Sequence, residues 1–349
     1  AYVISADIPS GICADDGQVL GTSVEADETV TMQALKRGHL LYPGASYAGQ
    51  VTVADIGIQP IGELISAYSM EESDLDLIPK RRDRSNKGSY GKLLVVAGSL
   101  NMSGASYLSA AAAMKMGCGM VKILTVEENR EILQRMLPEA MLDTYQDVDT
   151  AVEGLRKNLK WADAVVMGPG LGQSEEAHAL VTTMLKEGNL PLVLDADGLN
   201  CLDGDLGLLK AFDQPCLITP HPGEMSRLSG KSIREILSQM IKTATEISAE
   251  TGVYCLLKDA GTVNACPEGL VFINESGNHG MATAGSGDVL SGIAGGLMCR
   301  GVEASYIGAL AAYIHGMAGD RAAARIGCDG MMASDMLAEI AAILKEYFS

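Results

Sequence analysis

Ala164-Val165-Val166-Met167-Gly168-Pro169-Gly170-Leu171-Gly172 is the stretch on which the fold turns. Four apolar residues run without interruption into a proline and three glycines. A strand with one wet face would alternate apolar and polar residues. This one is apolar on both faces, as in a parallel sheet covered by helices. A helical pattern follows over 174–187, and Leu192-Val193-Leu194 begins the next strand, ending in Asp195-Ala196-Asp197-Gly198. The same alternation extends to both sides. A strand over 93–97 ends at Gly98-Ser99, and an Ala-rich helix over 106–116 is stopped by Gly117 and Gly119. Strands are predicted at 120–124, 164–167, 192–194, 216–219 and 253–257, then a hairpin from 263–266 and 270–273. One long helix is predicted over 232–250, opened by Ser232 with Glu235 three residues on and closed at Gly252. Three apolar helices follow near 286–299, 303–325 and 333–347. The pattern predicts an α/β fold, a mostly parallel sheet with helices on both faces. Nearly every strand ends in Gly, Asp, His or Thr, so the ligand crevice is expected beyond the carboxyl ends.

The first 70 residues read differently. Residues 2–5 form a strand leading into Asp7-Ile8-Pro9-Ser10-Gly11, and a second strand covers 50–57. The chain opens in mid-strand without an initiator Met, which predicts a piece of a longer protein with a two-strand remnant in front. Residues 71–86 are polar, with Lys80-Arg81-Arg82-Asp83-Arg84, and read as a linker before a larger domain over 87–349.

Composition removes several functions. The chain has 349 residues, 26 Lys plus Arg and 44 Asp plus Glu, a formal charge of −18. That argues against nucleic acid and against anionic membranes as partners. It does not argue against phosphate ligands, since a helix N-terminus holds anions without basic side chains. The eight Cys include no C-x-x-C pair and read as free thiols in a reducing, cytoplasmic setting. The five His lack metal-ligand spacing, no apolar run is long enough for a membrane span, and with no basic segment before an apolar one no secretory signal is expected.

The sharpest motif is Asn278-His279-Gly280-Met281-Ala282-Thr283-Ala284-Gly285-Ser286-Gly287-Asp288, running straight into a helix. Gly285, Ser286 and Gly287 let the backbone curl so that several N–H groups point one way, an anion hole for phosphate. Asp288 falls in the first helical turn, placed to act as general base for a hydroxyl attacking that phosphate. The plainer reading is a glycine turn with an Asp favouring the helix dipole.

This Gly-x-Gly-Asp pattern resembles the signature of the ribokinase-like superfamily. Lys87-Gly88-Ser89-Tyr90-Gly91-Lys92, Gly104-Ala105-Ser106, Gly168-Pro169-Gly170-Leu171-Gly172, Thr219-Pro220-His221-Pro222-Gly223-Glu224 and Lys258-Asp259-Ala260-Gly261-Thr262 narrow it. With the glycine loop they stand in the order of the NAD(P)H-hydrate dehydratases, over about residues 75–349. These enzymes restore NADH and NADPH whose nicotinamide ring has been hydrated. Asp7-Ile8-Pro9-Ser10-Gly11 and the strand behind it resemble the end of the NAD(P)H-hydrate epimerase domain that precedes the dehydratase in bifunctional chains. The departures are Asp259, where the family commonly has Gly, and Ala284, where a third Gly is frequent.

The resemblance implies a nucleotide-dependent lyase using ADP rather than ATP, with Mg²⁺. It implies substrate contacts at Ala105, Gly168, His221 and Asp288, with Asp288 catalytic. Nucleotide contacts are implied at Lys258, Asp259, Ala260, Gly261, Thr262 and Gly287. In the epimerase remnant, Asp7 implies a substrate contact and Ser10 a potassium contact, with K⁺ a cofactor only if that domain is complete. A homo-oligomer, tetramer or larger, is expected, as is a missing epimerase portion. The residues alone leave alternatives open. His221 between two prolines is aimed into the crevice or is a polar turn residue, and Lys258 meets a phosphate or snorkels at the surface. Asp195 and Asp197 orient Mg²⁺ through water or cap a helix. The rival activity is a ribokinase-like small-molecule kinase. Ser99 passes almost at once into a helix from Gly104, which leaves no room for the lid that sugar kinases insert there.

Overall fold

The computed structural model describes residues 1–58 and 65–348. Nine strands form the main sheet: β4 (Lys92–Val96), β5 (Met120–Val126), β6 (Met141–Tyr145), β7 (Ala164–Met167), β8 (Leu192–Leu194), β9 (Cys216–Ile218), β10 (Tyr254–Leu257), β11 (Val263–Ala265) and β12 (Val271–Ile273). Their order is β12-β11-β10-β9-β8-β7-β4-β5-β6. From β10 to β6 every pairing is parallel, and β10-β11-β12 are antiparallel.

Each strand feeds both faces, because successive side chains point to opposite sides. Leu93, Val95 and Val166 enter the core beneath the helices Ser103–Lys115, Ser286–Cys299, Ala304–Ile326 and Met336–Phe348. Leu94, Val96, Val165 and Met167 enter the core on the other face, with Leu155, Leu180, Met225 and Ile247 from the helices there. All seven of those strand residues are fully buried. Residues 71–86 contribute Leu75 and Ile78, both 0% exposed, to the first core.

Three expectations need correction. The 232–250 segment is two helices, Ile233–Ser238 and Met240–Thr251, because Gln239 leaves helical geometry at φ −143°, ψ 46°. The strand β6 was missed because Met-Leu-Asp-Thr-Tyr carries polar residues that an apolar-run criterion rejects. The N-terminal unit is a parallel sheet of three strands, not two: β1 (Ile4–Ala6), β2 (Glu28–Met32) and β3 (Gln50–Ala54), in that order. In β2 the pattern is inverted. Thr29 and Thr31 are the buried residues, and the Thr29 hydroxyl donates to the Ala48 carbonyl at 2.6 Å.

This small unit is fastened to the larger one. Leu41, 4% exposed, shares a core with Ile218, Leu257, Val263 and Ile273. At Gly261 a Cβ would stand 2.4 Å from the Leu40 carbonyl oxygen, so only glycine admits that backbone approach.

Candidate active site

The chain runs outward from β4 to β5 and β6, then returns to the other side of β4 with β7. Ligands of such sheets bind at that reversal, beyond the carboxyl ends of the two strands. The loops there are tied together. Gly98 N–H donates to the Pro169 carbonyl at 2.9 Å, and Ser99 N–H to the Gly170 carbonyl at 2.6 Å. Ala105, in the first helical turn after β4, is buried against Gly170, where a Cβ would approach its methyl group to 2.8 Å. Gly168 has φ +122°, and a Cβ there would lie 1.8 Å from the Asp195 carbonyl oxygen. The close approach that requires glycine at 168 is thus made by the end of β8.

Asp195, Lys258 and the helix Ser286–Cys299 converge next to this point. Asp195 is 1% exposed. Its carboxylate accepts from Lys258 Nζ at 2.9 Å and from the Ser291 hydroxyl at 2.6 Å. Burial disfavours its charge, but the Lys258 ammonium and the Ser291 hydroxyl outweigh that and hold it below the usual carboxylate range. Lys258 is therefore neither a surface lysine nor a free cation. Burial works against its charge too, while Asp195 and Glu224 keep it protonated. Gly285 caps the helix in left-handed backbone at φ +89°, and Asp288 sits in the first turn. Gly287 places that turn over Lys258, whose Nζ would be 3.5 Å from a Cβ there. Asp288 is pushed up to about 7, by burial first and then by the Asp195 and Asp197 carboxylates, against the opposing pull of Lys258.

The remaining residues divide. The His221 ring caps the helix Pro222–Ser229, with Nδ1 accepting from Gly223 N–H at 3.0 Å and Glu224 N–H at 3.3 Å. Its Nε2 lies 3.4 Å from the buried Glu224 carboxylate, and the side chain is half exposed. It is a turn residue that caps a helix, with its outer nitrogen toward Glu224. Thr262 closes its own turn by donating to the Asp259 carbonyl at 2.8 Å. Asp259 and Ala260 are exposed at the tip and Gly261 is buried. The Ser286 hydroxyl lies 3.2 Å from His315 Nε2. His315 is buried and pushed down to about 4, by burial first and then by Lys258, so its imidazole is neutral at pH 7. Asp197 accepts from Gly172 N–H at 2.9 Å and from the Asn200 amide at 3.1 Å, opening the short helix Asp197–Asn200.

Asp7 and Ser10 lie in the three-stranded unit. Asp7 Oδ1 accepts from Lys36 Nζ, Met32 N–H and the Thr31 hydroxyl. Burial opposes its charge, but Lys36 and Met32 prevail and lower its pKa. Ser10 is exposed and accepts through its carbonyl from Val24 N–H. Sequence reading missed Ser291 and His315. Ser291 stands one turn beyond Asp288 and His315 interrupts an Ala-rich helix, which was the available signal.

A switch-point crevice roofed by a glycine-led helix with a carboxylate in its first turn defines a ribokinase-like protein. Residues 93–342 match the family model for NAD(P)H-hydrate dehydratase, and residues 1–38 match that of the YjeF-related protein N-terminus. The chain belongs to the NAD(P)H-hydrate dehydratase family. It is 38% identical to the bifunctional NAD(P)H-hydrate repair enzyme of Moorella thermoacetica over 96% of this chain, and 36% identical to that of Escherichia coli over 99%. It spans 65% of the length of each. Among solved structures it is similar to the ADP/ATP-dependent NAD(P)H-hydrate dehydratase of Bacillus subtilis, co-crystallized with ATP and Mg²⁺. The identity is 28% and the TM-score 0.71, over 81% of this chain and 99% of that one. A ribokinase-like superfamily protein of Enterococcus faecalis shares the fold, with TM-score 0.71 at 24% identity over 83% of this chain and 99% of that one.

Proposed function

We propose that this chain dehydrates hydrated NADH and NADPH back to the dihydronicotinamides, using ADP or ATP as co-substrate. The observation that carries it is Asp288. A carboxylate pushed up to about 7 stands in the first turn of a glycine-led helix, inside a family-matched domain. A hydroxyl on the reduced ring is a poor leaving group. Asp288 takes its proton as the oxygen attacks the terminal phosphoryl, forming a phosphate ester and releasing the shortened nucleotide. The ring nitrogen then drives out phosphate, leaving an iminium, and loss of a proton from the neighbouring ring carbon to water or phosphate restores the double bond. The N–H groups at Gly285 and Gly287 would meet the charge that develops on the transferred group, whereas Ser286 N–H, expected to join them, donates to the Thr283 carbonyl at 3.3 Å. Lys258, held by Asp195, supplies a fixed positive charge beside them. Ala260, Gly261 and Thr262, with Asp259, form the loop on which the nucleotide is expected, and His221 and Ala105 border the hydrated ring.

Mg²⁺ fits this site only in the manner usual for it, with few protein ligands and the rest water and phosphate. Among the described residues no group of three metal-ligating side chains forms a cage. Asp195 is tied to Lys258 and Ser291, and Glu224 accepts from His221 N–H at 2.8 Å, so these carboxylates would meet the ion through water. Bound there it would neutralise phosphate charge. Residues 1–70 are read as the end of an epimerase-type domain, in which Asp7 would touch substrate and Ser10 potassium. They are joined through 71–86 to the dehydratase domain. A cytoplasmic homo-oligomer is the expected working form.

The test is direct. Protein, hydrated NADH, Mg²⁺ and either ADP or ATP are mixed, and the absorbance of the restored dihydronicotinamide is followed. A nucleotide-dependent rise is expected. A stable phosphorylated alcohol with no rise would instead identify a kinase.

A further inference from the structure

The negative charge of the crevice raises a question of balance. Asp195, Asp197, Glu224 and Asp288 crowd one end of it, and Lys258 is committed to Asp195. A dinucleotide substrate brings at least two further negative charges on its pyrophosphate. A further cation within reach of the Gly168–Gly172 loop would balance them.

A cleft of about 530 Å³ is lined by Gln173, Leu199, Asn200, Asp203, Gly204, Arg227 and Leu228. Gln173 directly follows the Gly168–Gly172 loop, and Arg227 stands on the helix that His221 caps. Its Nη1 would lie 4.0 Å from a Cβ at Gly223. Arg227 Nε donates to Asn200 Oδ1 at 2.9 Å, and the Asn200 amide donates to Asp197 at 3.1 Å. Asp197 in turn accepts from Gly172 N–H. The guanidinium is thus aimed through a relay that begins at the substrate loop. Among the described residues no carboxylate is paired with it. Asp203, the acid in the cleft, stands 3.3 Å from His178 Nε2.

We propose that this cleft seats the adenosine-phosphate half of the hydrated dinucleotide, with Arg227 binding one of its phosphates. The proposal rests on the dehydratase reading. A planar guanidinium whose outer N–H groups are free of acid partners suits a phosphate better than an ammonium would. Asn200 acts as a positioning residue, fixing the plane of the guanidinium.

Arg227→Gln and Arg227→Lys would be compared with the parent, using hydrated NADH and hydrated NADPH at saturating adenine nucleotide. Loss of a charged hydrogen bond predicts a KM for the hydrates raised roughly tenfold or more in Arg227→Gln. The KM for adenine nucleotide should stay within about twofold. Arg227→Lys should recover part of the loss, since it keeps the charge without the fork. Equal losses on both hydrates would identify the pyrophosphate as the partner, and a loss confined to hydrated NADPH the 2′-phosphate. Unchanged KM values for both hydrates in Arg227→Gln would overturn the proposal. If the parent dehydrates neither hydrate, the functional reading itself fails. Titration of NADPH into parent and Arg227→Gln still tests the cleft, and equal affinities there would overturn it.

Discussion

Asp288 is a weak acid made weaker by its neighbours, and this has consequences at two levels. As a base it must be ionised, so kcat/KM should climb with pH below about 7 and level off above it. A profile flat from pH 5 to 8 would remove Asp288 from proton transfer. Asp288→Asn keeps the shape and should retain nucleotide binding while losing about 10²–10⁴-fold in turnover. Stability moves the other way. The folded pKa exceeds the unfolded one, so the folded state binds more protons between about pH 4 and 7 and loses stability as pH rises through that window. Asp288→Asn should therefore resist denaturant better than the parent at pH 8, and the difference should vanish near pH 4. Lys258 tests the opposite case. Lys258→Met would leave Asp195 charged, buried and without its cation, which costs about 3–5 kcal/mol in comparable sites. A loss under 1 kcal/mol in urea unfolding would mean that the Ser291 hydroxyl alone suffices. Asp288 was legible in the sequence because the glycines and the helix start are local. Its raised pKa was not, because the burial that chiefly causes it comes from tertiary packing, and the Asp195 and Asp197 carboxylates that add to it come from a loop about ninety residues away.

Helices and strands were legible where a break or cap is written into the chain. Ser174 caps the helix Glu175–Glu187 as its position suggests, and Ser232 with Glu235 forms the expected box. Gln239 was not legible, since neither proline nor glycine marks the break. The strand β2 hides because its threonines face inward and find a carbonyl partner. His221 serves an element, and on the proposed function a site as well. His221→Ala removes the acceptor at the start of the helix Pro222–Ser229, at about 0.5–2 kcal/mol. His221→Asn can still accept from the helix N–H groups and should spare most of that stability. Both should raise the KM for the hydrate more than that for the nucleotide. Thermal melts and kinetics on the same two variants separate the roles, and a KM raised equally for hydrate and nucleotide, or for neither, would place His221 elsewhere.

At the scale of the molecule, the main sheet and its helices followed from apolar runs and their polar ends, while the seam between the units did not. Nothing in Leu40-Leu41 announces that it will pack beneath a loop over two hundred residues later. Gly261→Val places a branched side chain against the Leu40 carbonyl and should shift the 258–262 loop. The expected outcome is a several-fold higher KM for adenine nucleotide with little change for the hydrate. An unaltered nucleotide KM would show that the loop tolerates the seam's disruption. The seam has a thermodynamic corollary. If the small unit favours one arrangement of that loop, a nucleotide that favours the same arrangement must tighten the attachment of the small unit by an equal free energy. Amide exchange along Glu28–Met32 should then slow when nucleotide is added, at strands that never touch it.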